Sequence, residues 1–420
     1  MRLGFLSFTL LAAAARGQQP LTPETLLLAR IRYHNLLTLQ KLPNYTCRET
    51  IERSFRNPPE RKFRLLDLVR LEVAFVGNRE LYGWPGATRF EETDITDMVK
   101  GGAIGNGIFG MHAKSILSGQ AVFTHKGPEE WRGRPAVRYD YTVPRNQSGF
   151  NLRVGEANGI AGYHGSIWAD PKSIDLIRVE VVTDDIPAHV PIKESTTSIE
   201  YSRLKIGEGE FLLPTGAEMV MIDLKGKEDR NRTEFSGCRQ YSGESTISFA
   251  EAPEPGAEPL PPPKTVDVEL PIGLEFTAYL DVALNAQTAV GDEVKATIQQ
   301  TVKKSKVTVV PKGATLTGRV VSMFPANNAV LVGIDFQRLE FPGAHAAVNP
   351  KLTGVGEFTA ARVNSRNAQY ALYDGPPVPG AKRAPAAMFY VRGSRLNIPA
   401  GLRMAFRLEK PENKKLEESK

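Results

Sequence analysis

Apolar and polar residues alternate along much of the chain, a pattern typical of half-buried β-strands. It is clearest in Val69–Phe75 and Val137–Val143, where every second residue is apolar. In Tyr45–Arg56 one parity carries tyrosine, cysteine, isoleucine and phenylalanine, while the other parity is wholly polar. These segments predict an antiparallel sheet with one buried face.

A helix is predicted before the first strand, over Leu21–Gln40. Thr22 can cap it, Pro23 suits the first helical position, and apolar residues recur through the segment at helical spacing. The first part of the chain is therefore expected to be a β-sheet preceded by one helix.

Alternation in the second half of the chain is more regular. One parity of Leu274–Leu284 is apolar over eleven residues, which predicts one long strand. Three turn patterns with Pro followed by Gly two residues later, at Pro271, Pro311 and Pro399, each lead into a new strand. The second half is expected to form a small all-β barrel or sandwich.

The two halves are separated by the proline-rich stretch Ala252–Pro263. Proline at this density favours an extended spacer and supplies no ladder donors. We therefore predict a half-barrel-like domain over 18–250, a linker over 251–264, a β-barrel domain over 265–411 and a charged disordered tail over 412–420. The two domains are expected to pack as separate bodies.

Residues 1–17 have the features of a secretory signal peptide. Arg2 precedes the apolar run Leu3–Ala15, and small residues surround a cleavage point before Gln18. The run is shorter than the roughly 20 residues that span a bilayer. The alternative is a buried first helix of a cytosolic domain. The signal predicts an exported, periplasmic or envelope-associated protein without a transmembrane segment.

The chain has two cysteines, Cys47 in the first predicted strand and Cys238 near the end of the first domain. An oxidising compartment permits a disulfide between them, which we predict; two buried free thiols are the alternative. Two cysteines are too few for a disulfide scaffold or a metal cluster.

Charge is distributed unevenly. From Lys264 onward, 21 Lys and Arg face 14 Asp and Glu, and three lysines fall in one predicted hairpin near residue 304. Basic residues are not interleaved with aromatic ones, so a nucleic-acid partner is not expected. A basic face that contacts an envelope protein or an anionic envelope polymer is a better interpretation.

Thr93–Ser118 differs from its surroundings because glycines interrupt apolar residues. Residues 105–110 match G-x-G-x-x-G, but a helical, acidic stretch precedes them where a nucleotide site requires a strand. A flexible loop is one alternative. A mobile apolar flap over a hydrophobic hollow is another, and its candidate ligand-binding residues are Ile104, Ile108, Phe109 and Met111.

The order of these elements resembles the periplasmic half-barrel superfamily of lipoprotein-sorting chaperones and sigma-factor regulators (LolA, LolB and RseB). The features that carry the likeness are the leading helix, the successive antiparallel strands, the helical lid, the hairpin Ile167–Arg178 and the later Leu213-Pro214. The resemblance implies a curved sheet whose hydrophobic concavity can hold acyl chains.

The second half resembles the barrel domain of the VirB10/TrbI-type secretion-channel scaffold. The likeness rests on P-x-G-x-x-x-x-G from Pro311 and R-L-x-F-P-x-G from Arg338, in that order, and covers residues 270–345. It implies a freestanding β-module, because the membrane helix that precedes such barrels is lacking.

Sequence motifs for catalysis are weak. H-E-x-x-H and G-x-S-x-G are absent, the six histidines are scattered, and S-x-x-K at Ser202 falls in a predicted strand. Asp184-Asp185 and Glu91-Glu92 are adjacent carboxylates that diverge on a strand. No cofactor or metal is expected.

These observations predict a mainly β (α+β) exported protein that binds a hydrophobic or lipid-like ligand in its first domain and uses the second for attachment or assembly. The alternatives are an enzyme that acts on envelope polymers, with acidic residues meeting only in three dimensions, and a purely structural scaffold with a sealed core.

Overall fold

The fold is a pair of antiparallel β-sheets, one from each half of the chain. A computed structural model describes residues 21–77, 79–87, 90, 93–105, 107, 111–241, 265–356, 358–359, 368–375 and 385–410. The predicted signal peptide, the linker and the charged tail lie outside these residues. The expected fold class is confirmed: the protein is mostly β, with a curled half-barrel sheet and few helices.

The first sheet has eleven strands in the order β3-β2-β1-β11-β10-β9-β8-β7-β5-β4, with β6 paired to β7. Its first and last long strands, β1 and β11, are neighbours. The strands are β1 Tyr45–Arg56, β2 Arg64–Val76, β3 Arg79–Gly83, β4 Val122–Trp131, β5 Arg134–Val143, β6 Phe150–Val154, β7 Ala157–Ala169, β8 Leu176–Asp184, β9 Ile192–Ile206, β10 Gly209–Asp223 and β11 Glu228–Gln240.

One face of this sheet is defined by its register. Cα partners form a continuous row across eight strands: Tyr139, Ile167, Val179, Ile199, Ala217, Thr233, Ile51 and Val69. Paired residues on neighbouring strands point to the same side, so all eight side chains share one face. We call this face the inner face.

Helices α1 (Pro23–Gln40) and α3 (Met111–Ser118) cover the inner face, and the short α2 (Ile95–Met98) lies between them in the chain. The Tyr139 hydroxyl donates to the Glu24 carbonyl in α1 at 2.8 Å, and the Ser115 hydroxyl of α3 lies 3.4 Å from that of Tyr163. The Arg32 guanidinium joins the helices by donating to the Leu117 carbonyl.

α1 begins and docks through specific hydrogen bonds. The Thr22 side chain accepts the Thr25 N–H, and Pro23 occupies the first turn, as predicted. The buried Asn35 amide donates to the Ile174 carbonyl at 2.8 Å and accepts the Leu176 N–H at 3.1 Å. These bonds fix the helix against the turn between β7 and β8.

The second sheet also has eleven strands, in the order β12-β19-β18-β17-β14-β13-β24-β20-β21, with β23 paired to β18 and β22; a separate hairpin pairs β15 with β16. The strands are β12 Val266–Asp267, β13 Glu275–Leu280, β14 Glu293–Thr297, β15 Val302–Lys304, β16 Val307–Val310, β17 Thr315–Ala326, β18 Ala329–Phe341, β19 Ala344–Ala347, β20 Pro350–Val355, β21 Phe358–Thr359, β22 Tyr370–Leu372, β23 Ala387–Arg392 and β24 Arg403–Leu408.

One strand in the second sheet is shorter than predicted. β13 ends at Leu280, and Val282 is 54% exposed although the alternation placed it with the buried parity. Leu284 is buried again and pairs with Ile398 through an isolated bridge. The alternation beyond Leu280 therefore comes from two separate docking points and not from one continuous strand.

The two sheets meet at the edge of β2 that β3 leaves uncovered. The Arg70 N–H donates to the Val290 carbonyl at 2.8 Å, and the Val290 N–H donates to the Leu68 carbonyl at 2.7 Å. Gly291 permits this approach: its φ is +107°, and a Cβ there would lie 2.2 Å from the Arg70 carbonyl oxygen. The Arg70 guanidinium also pairs with Asp292.

None of the helices in the described residues is long and apolar enough to cross a membrane. The division at 251–264 stays a prediction, as do the signal peptide and the tail.

Candidate functional site

The predicted disulfide is confirmed. Cys47 of β1 is bonded to Cys238 of β11, with their Cα atoms 4.1 Å apart. The register between these strands shifts after Thr46, and Gly237 has a φ of +59°. This β-bulge inserts one extra residue into β11 and brings the two cysteines opposite each other.

Residues 100–105 and 107, which we call the glycine strap, lie against the inner face. The Arg53 guanidinium donates to the carbonyls of Gly101 and Lys100, the latter at 3.2 Å. The Asn231 amide donates to the Ala103 carbonyl at 3.1 Å. Arg53 and Asn231 are register partners on β1 and β11, so both strap anchors come from one row of the sheet.

The strap fits only because of its first two glycines. Gly101 and Gly102 have φ values of +68° and +66°, a region that favours glycine. A Cβ on Gly101 would lie 2.7 Å from the Phe324 ring of β17, and one on Gly102 would lie 2.5 Å from the Leu66 side chain. The strap is thus enclosed by the first sheet on one side and by the second sheet on the other.

The four residues predicted to form a flap have different outcomes. Ile104 lies in the strap, is partly buried and packs on the hydrophobic core. Met111 is the first residue of α3, and its side chain is outside the description. Ile108 and Phe109 lie outside the described residues, so the full set stays a prediction.

Beside the strap, the inner face carries a carboxyl group that the sequence analysis did not single out. Glu49 is 3% exposed, and its Oε2 atom has no hydrogen-bond partner among the described residues. Burial, with a further contribution from the nearby Glu80, raises the pKa of Glu49 to about 8. At neutral pH this carboxyl is therefore mostly protonated.

Glu80 links the strap to the same cluster. Its Oε2 atom accepts the Gly107 N–H at 2.9 Å and the Tyr82 hydroxyl at 2.8 Å. Burial, followed by the charges of Glu80 and Glu49, raises the pKa of the Tyr82 hydroxyl well above its ordinary value. Tyr82 stays neutral and serves as a hydrogen-bond donor.

Two further tyrosines complete this group. Tyr45 and Tyr201 are buried on the inner face, and for each the pKa is raised by burial and then by Glu80. The Tyr201 hydroxyl is 4% exposed as a residue and has no hydrogen-bond partner in the part of the chain that the structure describes. We call Glu49, Glu80, Tyr45, Tyr82 and Tyr201 the acidic cluster.

The raised pKa of Glu49 predicts a pH-dependent cost to stability. From its ordinary value of 4.5 up to about 8, the carboxyl ionises in the unfolded chain but stays protonated in the folded one. Folding stability must therefore fall as pH rises through this window, by about 1.4 kcal/mol per pH unit at most. Glu49→Gln should remove this slope.

Urea unfolding of the wild type and Glu49→Gln at pH 5, 6, 7 and 8 measures the effect. The stability advantage of the variant should grow across this range. Glu52→Gln, on the opposite face of β1, is the matched control. Parallel stability curves for the wild type and Glu49→Gln would contradict the shifted pKa.

Other candidate groups have structural partners. Ser202 and Lys205 lie in β9, as predicted, so they do not form a helical S-x-x-K site. Asp184 pairs with His164, whereas Glu91 and Glu92 lie outside the described residues. Burial raises the pKa of Asp175, but hydrogen bonds from Arg203 and His34 outweigh this and leave it below its usual value. This carboxylate stabilises the α1 dock.

Two other features were examined for ligand chemistry. Within the described ranges, no group of three or more His, Cys, Asp or Glu residues could hold a metal ion. A hollow of about 460 Å³ lies in the second sheet, where Asn327, Asn328, Gln369, Tyr390 and Arg392 line it. It borders residues that the structure does not describe.

Comparisons with known proteins return two solved structures of low identity. One, described as an outer membrane lipoprotein-sorting protein domain from Vibrio parahaemolyticus, is 13% identical, with a TM-score of 0.28, over 53% of this chain and 94% of that chain. The other, a DUF1329 family protein from Desulfovibrio piger, is 9% identical, with a TM-score of 0.26, over 53% and 92%. No protein-family model and no curated protein matches the chain.

Proposed function

We propose that this protein is an exported envelope protein whose inner face binds a hydrophobic or lipid-like ligand beneath the glycine strap. The observation that carries the proposal is the construction of the strap. It covers apolar and buried polar residues, yet a few side-chain bonds to its backbone hold it in place, and neither helix nor sheet pairing does. Segments held in this way open more easily than the sheet beneath them.

The inner face offers the right chemistry for an acyl chain. Its central row is formed mainly by Ile, Val and Ala side chains, and α1 and α3 add Ile31, Ile116 and Leu117. Displacing the strap would expose part of this surface to a ligand, and burying apolar ligand surface returns about 25 cal/mol per Å². The second sheet, which is basic, would serve attachment or assembly.

Export is supported by the disulfide, which is typical of oxidising compartments. It is also supported by the signal pattern in residues 1–17. The direct test of ligand binding is native mass spectrometry of the purified protein, followed by organic extraction. A co-purifying amphiphile supports the proposal.

Hydrolysis of an envelope polymer is the second candidate, because Glu49 and Glu80 are two carboxyl groups with coupled charges. Both sit under the strap, however, and Glu49 is almost completely buried. A bound polymer needs an open cleft, so the arrangement favours binding of a ligand that the strap can enclose.

Ile104→Asp is expected to weaken retention of an apolar probe by at least about tenfold, since a carboxylate in the partly buried strap opposes closure. Equilibrium titration with Nile red measures the effect. Ile160→Asp, at an exposed position on β7, is the matched control and should bind the probe as the wild type does. Equal affinities for both folded variants would argue against the strap as a cover.

A further inference from the structure

The acidic cluster has a composition that an apolar site alone does not explain. Two carboxyl groups and three tyrosine hydroxyls meet under the strap, contributed by strands β1, β3 and β9. The charge that acts on Glu49, Tyr45 and Tyr201 in common is the carboxylate of Glu80, not a cation. The cluster therefore gathers acceptors and negative charge in a desolvated place.

Two acceptors in this cluster are unused within the described chain. Glu49 Oε2 and the Tyr201 hydroxyl have no hydrogen-bond partner, and both residues are more than nine-tenths buried. A buried polar atom without a partner costs about 1–3 kcal/mol, so such atoms commonly mark a ligand position. They lie on the inner face, where β1 and β9 turn them towards the strap side.

A third acceptor is already occupied by an N–H group. Gly107 of the strap donates its backbone N–H to Glu80 Oε2 at 2.9 Å. This contact shows that Glu80 accepts an N–H donor in the closed strap. When the strap lifts, the same oxygen becomes available to an N–H donor of a ligand.

We propose that the acidic cluster recognises a primary ammonium group at the head of an amphiphile whose chain lies on the inner face. A primary ammonium carries one positive charge and three N–H donors and has no acceptor. Its donors match Glu49 Oε2, Glu80 Oε2 and the Tyr201 hydroxyl, and tyrosine rings favour a nearby cation. This proposal rests on the proposed function and specifies the head group.

Binding moves one proton. Glu49 is mostly protonated at pH 7 in the free protein, and an ammonium beside it stabilises the ionised carboxylate. The carboxyl O–H bond breaks, the proton passes to the buffer, and a carboxylate–ammonium pair remains. The groups that face this site are Glu80 and Tyr82 of β3, Tyr45 of β1 and Tyr201 of β9; His112 of α3 lies against Gly107.

The test is isothermal titration at pH 7 with decylammonium, decyltrimethylammonium, 1-decanol and methylammonium, in two buffers of different ionisation heat. Decylammonium should bind at least about tenfold more tightly than decanol. It should release roughly nine-tenths of a proton, the fraction of Glu49 protonated at that pH. Decyltrimethylammonium, without N–H donors, should bind more weakly than decylammonium, and methylammonium should be the weakest.

Variants assign the effect to residues. Glu49→Gln should lose both the preference for decylammonium and the proton release, while keeping its affinity for decanol. Tyr201→Phe should weaken decylammonium severalfold and keep the proton release. Glu52→Gln, on the opposite face of β1, should behave as the wild type.

The outcomes separate the two proposals. Equal binding of decanol and decylammonium, or proton release that persists in Glu49→Gln, overturns the ammonium proposal and leaves the apolar site standing. Failure of both decyl ligands to bind overturns the proposed function as well. Methylammonium binding as tightly as decylammonium would show a site for free amines and would overturn the amphiphile.

Discussion

Removal of the Cys47–Cys238 disulfide is expected to lower the free energy of unfolding by about 5 kcal/mol. The bond closes a loop with a sequence separation of 191 residues. In the chain-entropy model, opening so long a loop gives the unfolded chain much more freedom. The loss is large relative to the roughly 5–15 kcal/mol that stabilises most folded proteins.

The double variant Cys47→Ala with Cys238→Ala avoids a lone thiol and is compared with the wild type by urea unfolding. A reductant should shift the wild type to the midpoint of the variant and leave the variant unchanged. A difference below about 1 kcal/mol would mean that the hydrogen bonds between β1 and β11 alone close the half-barrel.

The disulfide is also an example of what could be predicted from sequence. Cys47 shares the apolar parity of β1, and Cys238 precedes the proline-rich linker, so both positions flank one domain in an exported chain. The bulge at Gly237, which sets the cysteines opposite each other, could not be predicted. It depends on the register between two strands almost two hundred residues apart.

The acidic cluster shows the same limit. Parity alone places Glu49 on the buried side of β1, so the sequence contained a signal that an acid lies inside. It does not contain the partners, because Glu80 reaches the site through the β2–β3 hairpin and Tyr201 through β9. An acid with a buried arginine beside it and an acid among tyrosines have the same local pattern.

The contact between the two sheets was also beyond the pattern of alternation. Strands β2 and β3 pair only over Glu72–Val76, which leaves the edge at Leu68 and Arg70 open to Val290. Which strand segment lies exposed depends on where β3 ends, and that follows from tertiary packing. The consequence for function is that Phe324 of the second sheet rests on the strap at Gly101.

Arg53 stands where these features join, and its replacement should have the other large effect. It is 1% exposed and forms a bidentate pair with Asp67, with nitrogen–oxygen distances of 2.7 and 2.6 Å. The same guanidinium donates to the strap carbonyls of Lys100 and Gly101. Arg53→Leu leaves a buried carboxylate and two strap carbonyls without this donor.

Arg53→Leu is expected to lower the free energy of unfolding by about 3–5 kcal/mol, because breaking a buried pair leaves one charge uncompensated. Arg56→Leu, on the same strand, is the matched control: its pair with Glu228 is partly exposed and should contribute at most about 1 kcal/mol. Urea unfolding of both variants measures the difference, and similar losses would contradict the buried role of Arg53.

The strap contacts can be separated from the ion pair by the double variant Arg53→Leu with Asp67→Leu. Replacing both charges by apolar side chains should restore most of the stability, since no buried charge is then left unpaired. The strap carbonyls still lack their donor, so amide hydrogen exchange in residues 95–107 should stay faster than in the wild type. Wild-type exchange in a stable double variant would show that Arg53 stabilises the sheet alone, and the strap would then need another anchor to act as the cover of the inner face.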